Sequence, residues 1–446
     1  MNKPGSARQA AAQALFAVQE QGAWSEEALH RQLDAAALHG RDAALAARLT
    51  YGTLQNYAMC DFYLAHYVKG GLHKLEPRVH TLLRMGVYQL TMLARIPDHA
   101  AVGETVALVR RYAKGGARAA GLANGVLRAV ARDQQADTLP RPDCPDKESY
   151  YALRYSQPEW FIRQLSARFG WKQAGQIAAA NNEPAPLSVR VNRRKLPPEE
   201  AAERLRQDGF AVQPHPAMPH ILLCTGGDIA RHPLFLSGGV TVQDAASAAC
   251  VEVLDPVPGS FVVDCCAAPG GKSFYIAERM DDQGAVLSCD IYPHKLQTIA
   301  QGAARLGLGS IRTRLADGRA AQEDLTGKAD FVLCDAPCSG FGILRKKPEI
   351  RFKTDAQTAG LPGTQAAILQ NAAQYVRPGG TLVYSTCTVL ERENEGVVRA
   401  FLQHSPAFAL EPFGHPVCGR TEGMVTLLPH LHHTDGFFIA KLRRKP

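Results

Sequence analysis

Phe261-Val262-Val263-Asp264-Cys265-Cys266-Ala267-Ala268-Pro269-Gly270-Gly271-Lys272-Ser273 is the stretch on which the reading of the fold turns. A short apolar run ends in an acid, and two glycines separate it from a segment that reads as helix. Glycines at that point let backbone amides come close to a ligand and open a helix N-terminus toward an anionic group. The spacing is not G-x-G-x-x-G, and a Walker loop would need glycine where Cys266 stands, in spite of the Gly-Lys-Ser ending. Alone, the stretch is an ordinary strand-to-helix turn.

Its surroundings say more. From Val240 onward short apolar runs alternate with helical stretches: FVVDCC (261–266), AVLSCD (285–290), SIRTRLAD (310–317), DFVLCDAP (330–337), TLVYST (381–386) and GFFIAKL (436–442). This alternation predicts an α/β unit with a parallel sheet and helices on both faces. Ligands of such sheets sit beyond the carboxyl ends of the strands, near the topological switch. Asp290 lies twenty positions after Gly270, at the tip of the second strand, where a carboxylate can accept hydrogen bonds from ribose hydroxyls. One aspartate at a strand tip is better explained as a cap or turn former. Four of them, Asp264, Asp290, Asp317 and Asp335, above a glycine turn suit a nucleoside-bearing cofactor that is not a polyphosphate.

Two cysteines occupy matching places, Cys338 in Asp335-Ala336-Pro337-Cys338-Ser339-Gly340 and Cys387 in Ser385-Thr386-Cys387-Thr388. Cys60, Cys224, Cys250, Cys289 and Cys334 read as buried packing residues. Loops at strand tips over a ligand cleft are where a nucleophilic thiolate is useful instead. After Cys338 come Arg345, Lys346, Lys347, Arg351 and Lys353, either a solvated charge run or a set of phosphate contacts.

The 446 residues suggest about three domains. With 46% hydrophobic and 21% charged residues the chain is an ordinary globular one, which excludes global disorder and low complexity. No run approaches the ~18 apolar residues of a membrane span. Gln13, Gln19 and Glu20 interrupt the first apolar stretch, so it does not read as a signal peptide, and a cytoplasmic protein is expected. Eleven cysteines, an odd number with none spaced CxxC, argue against a disulfide framework, and no metal site is expected. His430, His432 and His433 read as loop surface before the last strand.

Residues 1–140 read as helix throughout, and LPRPDCP (139–145) marks a boundary. Residues 141–236 read as linker helices and a small α+β module, and 237–446 as the α/β domain. A single helical stretch is expected over 43–68. The net charge of +8 is a weak pointer to a polyanion. Its distribution is a better one: six cations (Arg110, Arg111, Lys114, Arg118, Arg128, Arg132) face one acid, Glu104, between 104 and 132.

The set DCCAAPGGKS, Asp290, ADGR, DAPCSGFGILRKKPEI and STCTVLERENE resembles the Sun/Nop2 family of S-adenosylmethionine-dependent RNA (cytosine-5) methyltransferases. ANNEPAPLSVRVN through GGVTVQDAASA is similar to that family's small RNA-recognition-like module. LLRMGVYQLTMLARIPDHAAVGETVALV and GLANGVLRAV resemble the NusB-type RNA-binding domain. Cys265 stands where many members carry an aliphatic residue, and Ser273 where threonine is common. The resemblance implies a Rossmann-like class I methyltransferase domain. It also implies that Cys266, Ala267, Ala268, Pro269, Gly270, Gly271 and Lys272 hold the methionine end of S-adenosyl-L-methionine, Asp290 the ribose and Asp317 the adenine amine. Cys387 would be the nucleophile and Cys338 would promote product release. Asp335 would bond the target base and also contribute to binding the cofactor. The implied substrate is a cytosine of 16S rRNA, conventionally position 967, met by a monomer before or during assembly of the small subunit. Arg110, Arg111, Lys114, Arg345, Lys346 and Lys347 would contact the RNA. DNA cytosine methyltransferases use the Pro-Cys cysteine as nucleophile, so the presence of both cysteines favours the RNA class. A non-catalytic RNA-binding assembly factor and a methyltransferase acting on tRNA, another RNA or protein are the alternatives.

Overall fold

The computed structural model describes residues 5–446. The chain forms two compact units, one running to Glu183 and including Leu344–Thr354, the other comprising Pro184–Ile343 and Asp355–Pro446.

Every long element of the first unit is a helix: Ala7–Gln21, Ser25–Ala35, Gly40–Gln55, Tyr57–Tyr67, Pro77–Met92, Asp98–Tyr112, Gly116–Gln135, Lys147–Arg154 and Glu159–Ala180. The first shows how sequence sets the limits. Ser6 accepts the Gln9 N–H at one end, Gly22 takes a left-handed conformation at the other, and Ala10, Ala11, Ala14, Leu15 and Val18 form the buried stripe. The single stretch expected over 43–68 is two helices. Asn56 breaks it with φ −124° and ψ 22°, and its side-chain amide competes for the Gly52 carbonyl at 2.9 Å. Gly52 lies under the Tyr88 ring, where a Cβ would come within 2.0 Å. Helices Lys147–Arg154 and Glu159–Ala180 pack within this unit.

The second unit begins with a four-stranded antiparallel sheet. Its strands are β1 (Leu187–Val191), β2 (Ala211–His215), β3 (Met218–Thr225) and β4 (Val240–Val242), in the order β2-β3-β1-β4. The small sheet therefore extends past residue 236, because Val240–Val242 pairs along β1. Arg190 on β1 is fully buried. It bonds Gln243 at 2.5 Å, pairs with Glu278 and lies 4.2 Å over the Tyr275 ring. Removing one partner of such a buried pair costs about 3–5 kcal/mol. Glu278 and Tyr275 lie on helix Gly271–Arg279, which follows the glycine turn, so this pair fixes that helix to the small sheet.

The large sheet holds β5 (Phe261–Asp264), β6 (Ala285–Asp290), β7 (Ile311–Leu315), β8 (Ala329–Asp335) and β9 (Val376–Thr386), then β10 (Phe408–Leu410), β13 (Met424–Leu427) and β14 (Phe437–Arg444). A small hairpin pairs β11 (Phe413–His415) with β12 (Gly419–Thr421). The order β10-β14-β9-β8-β5-β6-β7 puts the switch between β5 and β8. β5 to β9 pair in parallel, as expected. The last strand differs: β14 is antiparallel to β9, and β13 is antiparallel to β14. Residues 428–436 between β13 and β14 are too few for a parallel crossover. The reversal brings the start of β14 to the carboxyl end of β9, with Phe438 opposite Thr386. Successive residues of the central strands serve opposite cores. Val262 and Leu333 pack with helices Ala245–Leu254, Gly271–Arg279 and Pro293–Leu306, whereas Val263 and Val332 pack with Leu361–Tyr375 and Glu395–His404. No helix among the described residues is long and apolar enough to cross a membrane.

Candidate active site

β8 and β9 are parallel neighbours with Asp335 opposite Ser385, so the loops leaving them emerge side by side. Cys338 comes three residues after the end of β8 and Cys387 one residue after β9. Their Sγ atoms are 3.2 Å apart. Beneath them Asp335 is held from both sides, with Oδ2 accepting from Lys272 Nζ at 2.6 Å and Oδ1 from Ser385 Oγ at 2.7 Å.

The cysteine loops are fixed by buried polar groups. Glu393, fully buried, accepts the Ser339 N–H at 2.8 Å and the Gln365 amide at 2.9 Å, and Gln365 also donates to the Pro337 carbonyl. Ser339 Oγ bonds Thr388 Oγ1 at 3.0 Å, and Asn394 donates to the Thr388 carbonyl at 2.9 Å. Gly342 N–H bonds the Cys387 carbonyl, and Gly436 N–H bonds the Gly342 carbonyl. A Cβ on Gly342 would come within 1.8 Å of the Gly436 oxygen, so only glycine allows that approach.

The two thiols are not equivalent. The hydrogen bond from Cys338 holds the Cys387 thiol below its ordinary range against the effects of burial and Asp335, and the Lys272 ammonium acts in the same direction. The same bond, together with burial and the nearby Glu393, pushes Cys338 well above its ordinary range. Burial by itself would lower Lys272, but Asp335 raises it, so Lys272 stays a cation.

Of the four strand-tip acids, Asp264 departs from expectation. It is 1% exposed and faces inward, where Oδ2 accepts from Ser273 Oγ at 2.6 Å and Ser288 Oγ in turn bonds Ser273. Burial pushes its carboxyl up to about 7. Asp264 thus braces the turn from behind instead of facing a ligand. Asp290 lies beside the glycine turn. Its oxygens accept the Tyr292 N–H at 3.1 Å and the Ala268 N–H at 3.4 Å, leaving lone pairs for further donors. Asp317 lies two residues beyond β7, where it accepts the Arg319 N–H at 2.9 Å and pairs with the Arg319 guanidinium at 2.7 Å. Gly270 has φ 105°, and a Cβ there would strike the Phe274 ring at 2.5 Å. Ile291 and Leu315, 45% and 58% exposed, stand at the tips of β6 and β7.

Arg110, Arg111, Lys114, Arg118, Arg128 and Arg132 are all exposed on or beside helices Asp98–Tyr112 and Gly116–Gln135. Arg345, Lys346 and Lys347 are half-buried and belong to the same helical unit. Arg351 is 1% exposed and bonded to backbone carbonyls, which corrects its reading as a phosphate contact or a solvated charge. Cys60, Cys224, Cys250, Cys289 and Cys334 are buried. His430 and His432 lie in a one-turn helix, Pro429–His432, in place of the expected loop. Sequence reasoning gave no role to Ser385, Gln365, Glu393 or Gly342. Glu393 and Asn394 lie in the ERENE segment already singled out, but nothing local indicates that they reach back to the Cys338 loop.

Residues 251–443 match the family model for the 16S rRNA methyltransferase RsmB/F, 5–132 the NusB family model, and 157–227 that of the Methyltr_RsmF/B-like, ferredoxin-like domain. The chain is 35% identical to a Bacillus subtilis protein named as a probable ribosomal RNA small subunit methyltransferase B, over 99% of this chain and 100% of that one. With the ribosomal RNA small subunit methyltransferase B of Klebsiella pneumoniae the identity is 34% over 98% of each. The solved structure of a methyltransferase homolog protein from Pyrococcus horikoshii is 29% identical, with a TM-score of 0.59 over 68% of this chain and 100% of that one.

Proposed function

This chain belongs to the RsmB/F family of 16S rRNA methyltransferases, and from that premise we propose that it methylates carbon 5 of a 16S rRNA cytosine, conventionally position 967, through a covalent adduct on Cys387. The observation that carries this reading is the pair of thiols 3.2 Å apart above the Lys272–Asp335–Ser385 bonds.

The residues present fit S-adenosylmethionine. Asp290 keeps lone pairs for a ribose diol, Ile291 and Leu315 offer apolar cover for an adenine, and the turn Cys266-Ala267-Ala268-Pro269-Gly270-Gly271 lets backbone approach the methionine end. Lys272 and Asp335 stand at the inner end of that turn. Asp317 would bond the adenine amine with an oxygen it also offers to Arg319. Bound there, the cofactor supplies an electrophilic methyl group.

Carbon 5 of cytosine is too weak a nucleophile to take that group unaided. Addition of the Cys387 thiolate to carbon 6 gives an enamine-like adduct whose carbon 5 is nucleophilic. Asp335 would accept from the exocyclic amine and orient the ring for attack. After methylation the proton on carbon 5 passes to solvent water, and the electrons of that C–H bond re-form the 5,6 double bond as the Cys387 sulfur departs as a thiolate. While bonded to carbon 6, Cys387 no longer accepts the Cys338 hydrogen bond, which frees Cys338 to assist this elimination. The target base must first be unstacked. Arg110, Arg111, Lys114, Arg345, Lys346 and Lys347 would hold the phosphates. We take the enzyme to act as a cytoplasmic monomer on small-subunit rRNA before or during assembly.

The test is transfer of labelled methyl from S-adenosylmethionine to unmodified small-subunit rRNA, mapped by nucleotide. Label on a single cytosine carbon 5 supports the reading. Label on tRNA alone, or no transfer by folded protein that binds both partners, overturns it.

A further inference from the structure

The loop that carries Cys338 does not stay in the second unit. Six residues after the cysteine, at Leu344, the chain becomes part of the helical unit, and it returns at Asp355. Within that excursion the side chains terminate helices. Arg351 Nη1 donates to the carbonyls of Gln55 at 2.6 Å and Tyr155 at 3.4 Å, and both terminal nitrogens reach Asn182 Oδ1 at 3.3 Å. Gln55 ends helix Gly40–Gln55, Tyr155 caps Lys147–Arg154, and Asn182 lies just past the end of Glu159–Ala180. A buried guanidinium thus gathers three helix C-termini, where unpaired carbonyls and the helix dipole favour a cation.

Glu349 does the converse. Its carboxylate accepts the Ser25 N–H at 2.9 Å and the Ser25 hydroxyl at 2.6 Å, at the N-terminus of helix Ser25–Ala35. Phe352 packs against Tyr57 with ring centres 4.8 Å apart and planes tilted by 54°, and the Arg345 carbonyl accepts from Gln55 Nε2 at 3.2 Å. The helices need this segment to satisfy their ends, and the segment needs the helices to bury a charge. At its other end the short link back to Cys338 is already tied, with Ile343 N–H on the Gly340 carbonyl and Gly342 N–H on the Cys387 carbonyl.

We infer that the helical unit, besides binding RNA, positions the chemistry: by holding Leu344–Thr354 through Arg351 and Glu349 it sets the Cys338 loop for product release. Arg351 and Glu349 are positioning residues and touch no reacting atom. The inference rests on the release role proposed for Cys338, and the wild-type enzyme assayed alongside keeps the two separable, since a wild type without methyl transfer fails the function and not the coupling.

The experiment measures kcat and KM for small-subunit rRNA at saturating S-adenosylmethionine in full-length Arg351→Ala, Arg351→Lys and Glu349→Gln. Circular dichroism and cofactor titration serve as folding controls. Arg351→Ala is expected to lower kcat at least tenfold with KM for RNA changed less than threefold, and to accumulate a protein–RNA adduct that resists denaturing electrophoresis. Arg351→Lys should restore part of kcat. Should Arg351→Ala not fold, Glu349→Gln carries the same expectation at about threefold in kcat, because it leaves Arg351 in place. A rise in KM with kcat unchanged in the folded variants would overturn the inference and leave the helical unit as an affinity module.

Discussion

Cys338 and Cys387 lie with their Sγ atoms 3.2 Å apart, and that contact shifts two chemically identical side chains on neighbouring strand tips in opposite directions, Cys387 down and Cys338 up. An unperturbed thiol is only a few per cent thiolate at neutral pH, and the downward shift of Cys387 favours the anion that attack on a cytosine requires.

The pair predicts opposite behaviour of two variants. Cys387→Ala should abolish turnover and give no covalent RNA complex, because no atom remains to add to carbon 6. Cys338→Ala should also lose turnover yet still add and methylate, trapping a protein–RNA band on a denaturing gel. Losing Cys338 also leaves the half-buried Cys387 without that hydrogen bond, so the pH at which iodoacetamide alkylates Cys387 should move up. A band from Cys387→Ala and none from Cys338→Ala would reverse the roles.

Asp290→Ala should weaken S-adenosylmethionine binding at least tenfold. The variant removes a carboxylate with free lone pairs beside the glycine turn, and charge-assisted bonds of that kind contribute roughly 1.5–3 kcal/mol. Calorimetry on the folded variant that returned the wild-type affinity would remove Asp290 from the ribose site.

What the sequence made legible was local. The strand–turn–helix at 261–273, the tip acids and the two strand-tip cysteines all follow from spacing within one element and its turn. What it hid depended on partners far along the chain. Asp264 reads like the other tip acids, and only its bond to Ser273 shows that it turns inward. Arg351 looks like one more cation in a basic run, while its carbonyl partners Gln55 and Tyr155 are 296 and 196 residues away. The apolar pattern of GFFIAKL identifies a strand but carries no direction, so the antiparallel pairing of β14 with β9 was not readable from it.

The exposed cations of helix Asp98–Tyr112 and the turn after it should act on RNA through phosphate charge alone. Replacing Arg110, Arg111 and Lys114 together by alanine should lower affinity for rRNA and for an unrelated RNA of equal length alike. The slope of log K against log salt should fall by about 0.7–0.9 for each phosphate no longer neutralised. An unchanged slope in filter-binding titrations would place the RNA on another face.

Asp264 makes stability depend on pH in a direction opposite to most carboxylates. Its folded-state carboxyl titrates at about 7, whereas in the unfolded chain it would titrate near ~3.9. Between those values the folded protein keeps a proton that the unfolded chain has released. Its contribution to stability is therefore fully present below about pH 4 and is lost as pH rises through 7. The span corresponds to as much as about 4 kcal/mol for one proton. Asp264→Asn imitates the protonated acid: the amide oxygen still accepts from Ser273 and no charge is left to bury. Urea denaturation of the cofactor-free protein from pH 5 to pH 8 should show the variant gaining on the wild type up to about pH 7 and levelling off above it. A constant difference across that range would mean that Asp264 is ionised in the folded protein, and that the turn above it is braced by a buried anion rather than by a neutral acid.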